Sequence, residues 1–233
     1  MRNRPIPKIP AQLQAQIRDM VVYEDDVLFA FNKPSGLAVQ TRGNRGTSLD
    51  HLLWTFARSN GKRPHLVHRI DAGTSGLILA AKTKPAMGFL SQEFADRRVR
   101  KTYLALVSGA LPDADTGRCD TPLLKLGRVV KPAHLDQGAD TAQTDWSVLA
   151  RASTHALIEA RPLTGRMHQI RAHLADLGCP ILGDPIYGAG ALSAQRLMLH
   201  AQALEITRPD QTKLALEAPV PEDFQSKQVA LGL

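Results

Sequence analysis

HRIDAGTSGLILAAK, residues 68–82, joins two unlike halves. The second, GLILAAK, is a short apolar run that follows a glycine, the pattern of a buried strand. The first packs an imidazole, a guanidinium, a carboxylate and two hydroxyls into a turn rich in glycine. A carboxylate at the end of a strand beside such a turn, here Asp71, projects into a cleft. A surface turn in which Asp71 accepts backbone N–H bonds fits the same residues.

Upstream, VVYEDDVLFAFNKPSG (21–36) predicts two strands around an acidic turn, stopped by Pro34 and Gly36. Thr47-Ser48-Leu49-Asp50 opens a helix carrying Leu49, Leu52, Leu53 and Phe56 at helical spacing, with Gly61 to end it. Downstream, a helix is expected near Thr83, with Pro85 in its first turn and Met87, Leu90 and Phe94 on one face. KTYLALVSG (101–109) alternates as a strand does, and residues 111–140 form a loop or an exposed hairpin. TDWSVLA (144–150) and HALIEARPL (155–163) make an antiparallel pair. GRMHQIRAHLADLG (165–178) is a helix with Met167, Ile170, Leu174 and Leu177 on its apolar face and Gly178 as C-cap. RLMLHAQAL (196–204) and KLALEAP (213–219) read as closing strands. Strands in groups broken by a few helices favour an α+β fold over a βαβ series. Residues 1–20 read as a basic, proline-broken and flexible arm with a short polar helix at most, and residues 21–233 as a single catalytic domain.

Of 233 residues, 43% are hydrophobic, enough for an ordinary core. Lys and Arg number 29 against 22 Asp and Glu, a formal charge of +7 that attracts polyanions. Arg97, Arg98, Arg100 and Lys101 crowd together, and Arg42, Arg45, Arg58, Lys62, Arg63 and Arg69 follow one another earlier. Phosphate binding uses such clusters, because each neutralised phosphate releases condensed counterions. The two cysteines, Cys119 and Cys179, fit neither a disulfide framework nor a zinc site. His65 and His68, or His168 and His173, have no further ligands at metal spacing, so no metal is expected. Leu77 stands where a G-x-S-x-G nucleophile elbow needs glycine, and no phosphate-binding glycine loop occurs. The N-terminus lacks the apolar core of a secretory signal, and no apolar run approaches the ~18 residues of a membrane span, which makes the cytoplasm the expected location.

Two further positions stand out. Arg171 lies beside Ile170 and one turn before Leu174, at the edge of the apolar stripe, where a partly desolvated guanidinium calls for a carboxylate. An arginine whose stem covers core while its head reaches water fits as well. Tyr103 follows Arg100 and Lys101 in a strand, suited to core packing or to stacking on a base.

Together these segments resemble the RluA family of pseudouridine synthases. The family signature HRLD-x-x-TSGLLL stands here as HRIDAGTSGLIL, with Ile70 for leucine. NKPSGL (32–37) precedes it. KTYLALVSG, AQTDW (142–146), LTGRMHQIRAHLADLGCPILGDPIYG (163–188), LHA (199–201) and EAPVPEDF (217–224) follow in the family's order, so the likeness runs from about residue 21 to 224. The resemblance implies a central, mostly antiparallel mixed sheet flanked by helices and loops, no cofactor, a monomer, and no accessory N-terminal RNA-binding domain of the kind some members carry. It makes Asp71 the catalytic aspartate, Tyr103 the active-site aromatic and Arg171 the partner of the aspartate. Arg69 matches the arginine that fills the gap left by a flipped nucleotide. His68, Arg97, Arg98, Arg100, Lys101 and Arg166 join it as the residues expected at the RNA. The implied substrate is a uridine in structured ribosomal or transfer RNA. Two other readings are set against this one. A non-catalytic RNA-binding or ribosome-assembly factor on the same scaffold predicts loss of the aspartate or tyrosine, and the chain retains both. A hydrolase needs a nucleophile elbow, paired carboxylates or a metal set, and none is visible.

Overall fold

The computed structural model describes residues 7–41, 47–110, 112–188 and 194–233. Elements run α1 (Ala11–Asp19), β1 (Val21–Glu24), β2 (Leu28–Lys33), α2 (Leu49–Leu52), β3 (His65–Leu66), β4 (Ser75–Ala81), α3 (Lys84–Ala95) and β5 (Arg100–Ser108). Then come β6 (Thr116–Cys119), β7 (Leu123–Leu126), β8 (Val129–Pro132), β9 (Thr144–Arg151), β10 (His155–Pro162) and α4 (Gln169–Asp176). β11 (Leu199–Thr207), β12 (Lys213–Glu217) and α5 (Glu222–Ala230) close the chain. The fold is α+β. It divides into two compact units, Met1–Val99 with Leu204–Ala218, and Arg100–Ala203 with Pro219–Leu233.

In the first unit the strand order is β1-β2-β4-β11, with β3 also on β4 and β12 on β11. β2 pairs antiparallel with β4 from Leu28↔Ala81 to Lys33↔Gly76. All seven residues of β4 are buried, which explains its unbroken apolar sequence: covered on both faces, it has no polar side to alternate with. Leu28, Ala30, Leu77, Leu79, Leu90, Leu204 and Ile206 belong to one core. α3 starts as the sequence predicts, with the Thr83 hydroxyl accepting from the Ala86 N–H. The helix expected through residue 60 is shorter. Ser48, not Thr47, caps α2, a single 3₁₀ turn at Leu53–Phe56 follows it, and Ala57 is already extended. Trp54, Thr55 and Phe56 are weak helix formers, and Ser59, Asn60 and Gly61 favour a turn. The N-terminal arm carries more structure than a loose tail, since α1 buries Ile17 completely.

In the second unit the order is β11-β5-β10-β9-β6. β5 and β10 pair antiparallel from Tyr103↔Ala160 to Ser108↔His155. The stretch expected to be loop or hairpin holds β6 and the β7–β8 hairpin, whose Val130 packs in one cluster with Ala172 of α4. α4 is the main departure. It begins at Gln169 rather than residue 165, and His168 ahead of it takes a left-handed conformation at φ 52°. The Gln169 side chain explains the late start. Its Oε1 accepts from the Arg166 N–H (3.0 Å) and the Thr164 hydroxyl (2.6 Å), and its Nε2 donates to the Gln143 carbonyl and Thr144 Oγ1. Residues 164–168 are thereby held as a loop. α5 has no counterpart in the expected elements; Phe224, buried within the core of this unit, ties it down.

Candidate active site

In the first unit the Asp71 turn is pinned to the loop after β2. Lys33, fully buried, donates from Nζ to the carbonyls of Pro34 (2.8 Å) and Ala72 (3.0 Å). The Gly36 N–H also donates to the Ala72 carbonyl (2.8 Å), and the Ser35 hydroxyl donates to the Gly73 carbonyl (2.7 Å). Gly36 sits at φ 88°, a conformation that glycine adopts without a Cβ penalty. The Thr74 N–H closes the turn on the Asp71 carbonyl at 3.1 Å. Thr74 and Ser75 are buried beneath it, while Asp71 is half-buried. The turn is thus held at both edges, which fixes the backbone that carries the Asp71 carboxylate.

The signature's other members divide by side. Ile70 is buried and Arg69 is exposed, with no carboxylate paired to it among the described residues. His68 faces inward instead. Its Nε2 accepts from the Leu79 N–H (2.9 Å), which places the ring proton on Nδ1, and the ring stacks on Phe94 at 4.2 Å. What it does here is fasten the strand-like approach to Asp71 onto β4. At the end of α3, Arg97 is exposed at φ 60°, whereas Arg98 is held by Glu93 and Asp96, each at 2.6 Å. Arg42 and Arg45 lie outside the described residues.

The second unit carries Arg100, Lys101, Tyr103, Arg166 and Arg171. Tyr103 lies in β5 opposite Ala160 and packs against the core of the unit. Lys101 Nζ donates to the Thr164 carbonyl (3.1 Å), and Arg166 Nε to the Thr141 carbonyl (3.1 Å). Both cations thus brace the 164–168 loop.

Arg171 is 5% exposed, on a helix whose residues Gln169–Leu174 are all buried. The expected one-sided stripe is therefore an underestimate, and each buried polar side chain of α4 needs a partner. A carboxylate that the sequence reading missed, Asp184, accepts from Arg171 Nε and Nη2, both at 2.8 Å. Asp184 also accepts from the backbone N–H groups of Ile186 (2.9 Å) and Tyr187 (3.1 Å). Burial alone would raise its pKa. The guanidinium and the two N–H groups outweigh that and hold it below the ordinary carboxylate value. Gly183 makes the approach possible, since at φ 69° a Cβ there would fall 1.9 Å from the Arg196 carbonyl oxygen. The Tyr187 ring lies 5.2 Å from the Arg171 guanidinium, and its hydroxyl accepts from the Val130 N–H (2.9 Å) and meets His168 Nδ1 at 3.0 Å. The signal for Asp184 was GDPIYG, read as part of a likeness and not as a charge beside Arg171.

Among the described residues no group of three or more His, Cys, Asp or Glu could hold a metal, and no helix is long and apolar enough to cross a membrane. A family profile described as RNA pseudouridylate synthase matches residues 27–176. The chain is 36% identical over 208 residues to an uncharacterised RNA pseudouridine synthase of Zymomonas mobilis, covering 88% of this chain and 94% of that one. It is 38% identical to ribosomal large subunit pseudouridine synthase D of Xanthomonas campestris, covering 91% of this chain and 69% of that one. Among solved structures, human RNA pseudouridylate synthase domain-containing 4 matches with a TM-score of 0.80 at 26% identity, covering 95% of this chain and 97% of that one.

Proposed function

The chain belongs to the RNA pseudouridylate synthase family, of RluA type, and we propose that it isomerises a uridine of ribosomal RNA with Asp71 as the reacting carboxylate. The enzyme is an isomerase. Its reaction breaks the C1′–N1 bond, turns the uracil and joins C1′ to C5; C5 loses a proton and N1 gains one, so no atom enters or leaves. The observation that carries the reading is the doubly pinned Asp71 turn. Glycosidic cleavage builds positive charge at the sugar, and a fixed carboxylate either stabilises it or traps it as an ester. Removal of the 2′ proton by the same group is the alternative route.

The target nucleotide swings out of its stack at a cost of a few kcal/mol, less where it is already unpaired. Arg69, exposed two residues before Asp71, fills the vacancy. We assign Arg171 to the reaction as the arginine that the family likeness pairs with the reacting carboxylate. Tyr103 packs on the extruded base and takes the C5 proton in the last step. Replacing Tyr103 by phenylalanine then leaves RNA binding intact and stalls the reaction after the new C–C bond forms; normal product release by that variant removes the phenol from the role. Support for ribosomal RNA comes from the relatives named as large-subunit synthases. Pseudouridine maps of total RNA from cells with and without the protein test the whole reading. One or a few sites vanish when it is absent. Identical maps favour the non-catalytic assembly factor.

A further inference from the structure

A cleft of about 330 Å³ opens in the first unit, bounded by α1, the 3₁₀ turn after α2, residues 57–64 and the edge of β1, β2 and β4. Five cations line it, Arg18, Arg58, Lys62, Arg63 and Lys82, against one carboxylate, Glu24. Two of the five are already neutralised: Lys82 pairs with Glu24 at 2.6 Å and Arg63 with Asp50 at 3.0 Å. Arg18, Arg58 and Lys62 are exposed and have no carboxylate partner among the described residues.

The aromatic rings of the cleft are covered by its own cations. The Arg18 guanidinium sits 5.5 Å from the Phe56 ring and Lys82 Nζ sits 4.4 Å from Phe29. Rings so covered do not offer the free faces on which bases stack, but they fix the cations above them. The chemistry is that of a phosphodiester backbone read without regard to base.

The cleft also has a definite place. Phe29 and Lys82 lie at one end of the β2–β4 ladder, and Lys33 and Gly76, which lead into the Asp71 turn, lie at the other. The four residue steps from Phe29 to Lys33 span roughly 13 Å. We propose that this cleft is a second RNA-binding site, one that holds the phosphodiester backbone of single-stranded RNA flanking the target uridine. The inference rests on the reading of the protein as an RNA-modifying enzyme. It assigns Arg18, Arg58 and Lys62 to the flank, apart from the residues assigned to the flipped nucleotide.

The test uses the full chain and the Arg58→Ala/Lys62→Ala double variant, whose exposed side chains hold no other part of the described chain in place. Two labelled RNAs are compared by fluorescence anisotropy from ~50 to ~200 mM salt: a short uridine-loop hairpin, and the same hairpin with about ten uridines added at each end. Wild type is expected to bind the extended RNA several-fold more tightly and with a steeper salt dependence. The double variant is expected to lose most of that gain, and its slope of log affinity against log salt to flatten by ~0.7 per lost contact, about 1.4 in all. Binding of the short hairpin stays the same. Equal affinity and slope for the extended RNA in both proteins overturns the inference, as does a wild type that gains nothing from the flanks. Equal competition by polyglutamate also overturns it, by assigning the cleft to an acidic protein segment. Loss of flank binding in the variant, beside a wild type that isomerises no uridine, would instead sink the proposed activity and leave the cleft assignment standing.

Discussion

Arg171 and Asp184 form a buried, bidentate ion pair, for which single and double replacement have different costs. Arg171→Met or Asp184→Asn removes one half of the buried pair, at a cost of ~3–5 kcal/mol in denaturant unfolding. Replacing both, Arg171→Met with Asp184→Leu, restores part of that stability, since the Ile186 and Tyr187 N–H groups still lose their acceptor. If Arg171 also acts in the reaction, the double variant folds well and still turns over poorly; recovery of turnover together with stability would reduce the arginine to scaffolding. The pair's pH dependence follows from the depressed pKa of Asp184, which adds stability above the ordinary carboxylate pKa near ~4 that is lost as pH falls through the folded value. Lys33 is the second residue to probe. Lys33→Met removes the buried charged donor to the Pro34 and Ala72 carbonyls, costing ~1.5–3 kcal/mol. We expect kcat on RNA to fall by more than the loss of fold accounts for, because the Asp71 turn loosens. At this scale contiguous motifs bring Asp71, Arg69 and Tyr103 forward as candidates. They do not bring forward Asp184, a carboxylate that accepts from Arg171 across 13 residues of sequence, beside the Gly183 turn.

Among the elements, α4 shows most clearly what periodicity misses. A helix read as one apolar stripe is buried over six consecutive residues, because Gln169, Arg171 and His173 are each satisfied from outside the helix. His173 Nε2–H donates to the Thr121 carbonyl (3.0 Å), so Nδ1 accepts from the Thr144 hydroxyl (2.9 Å) and the ring is held neutral. Burial is the chief cause that depresses its pKa, against the opposing pull of that carbonyl and of Asp176 and Asp120. A base with a depressed folded pKa stabilises fully above its unfolded value, near ~6.5, and progressively less as pH falls below it. Denaturant midpoints are therefore expected to drop between about pH 7 and pH 5 in the native protein, and the same slope to vanish in His173→Gln. An unchanged slope in the variant would assign the pH dependence elsewhere. Strands were easier to read than this helix. β1, β2, β4, β5, β9 and β10 fall where alternation or short apolar runs put them. α5 escaped notice because one buried residue, Phe224, anchors an otherwise polar segment.

For the molecule as a whole, the grouping of strands was enough to reach an α+β fold, and the ordered motifs enough to reach the family. The division into two compact units was not legible. One of its three boundaries falls inside β11, between Ala203 and Leu204, where the sequence runs on as one uninterrupted strand pattern. The basic composition became informative only once located: Arg98 is spent on Glu93 and Asp96, Lys101 and Arg166 on loop carbonyls, while Arg69, Arg58 and Lys62 stay exposed without carboxylate partners among the described residues. The account as a whole hangs on Asp71, and release of tritium from RNA labelled at uridine C5 examines it most directly, since C5 gives up its hydrogen only when it bonds to C1′. With wild-type protein and ribosomal RNA, tritium passes into water, and with Asp71→Asn, folded to the same degree by circular dichroism, none does. Release by Asp71→Asn at the wild-type rate would contradict the account.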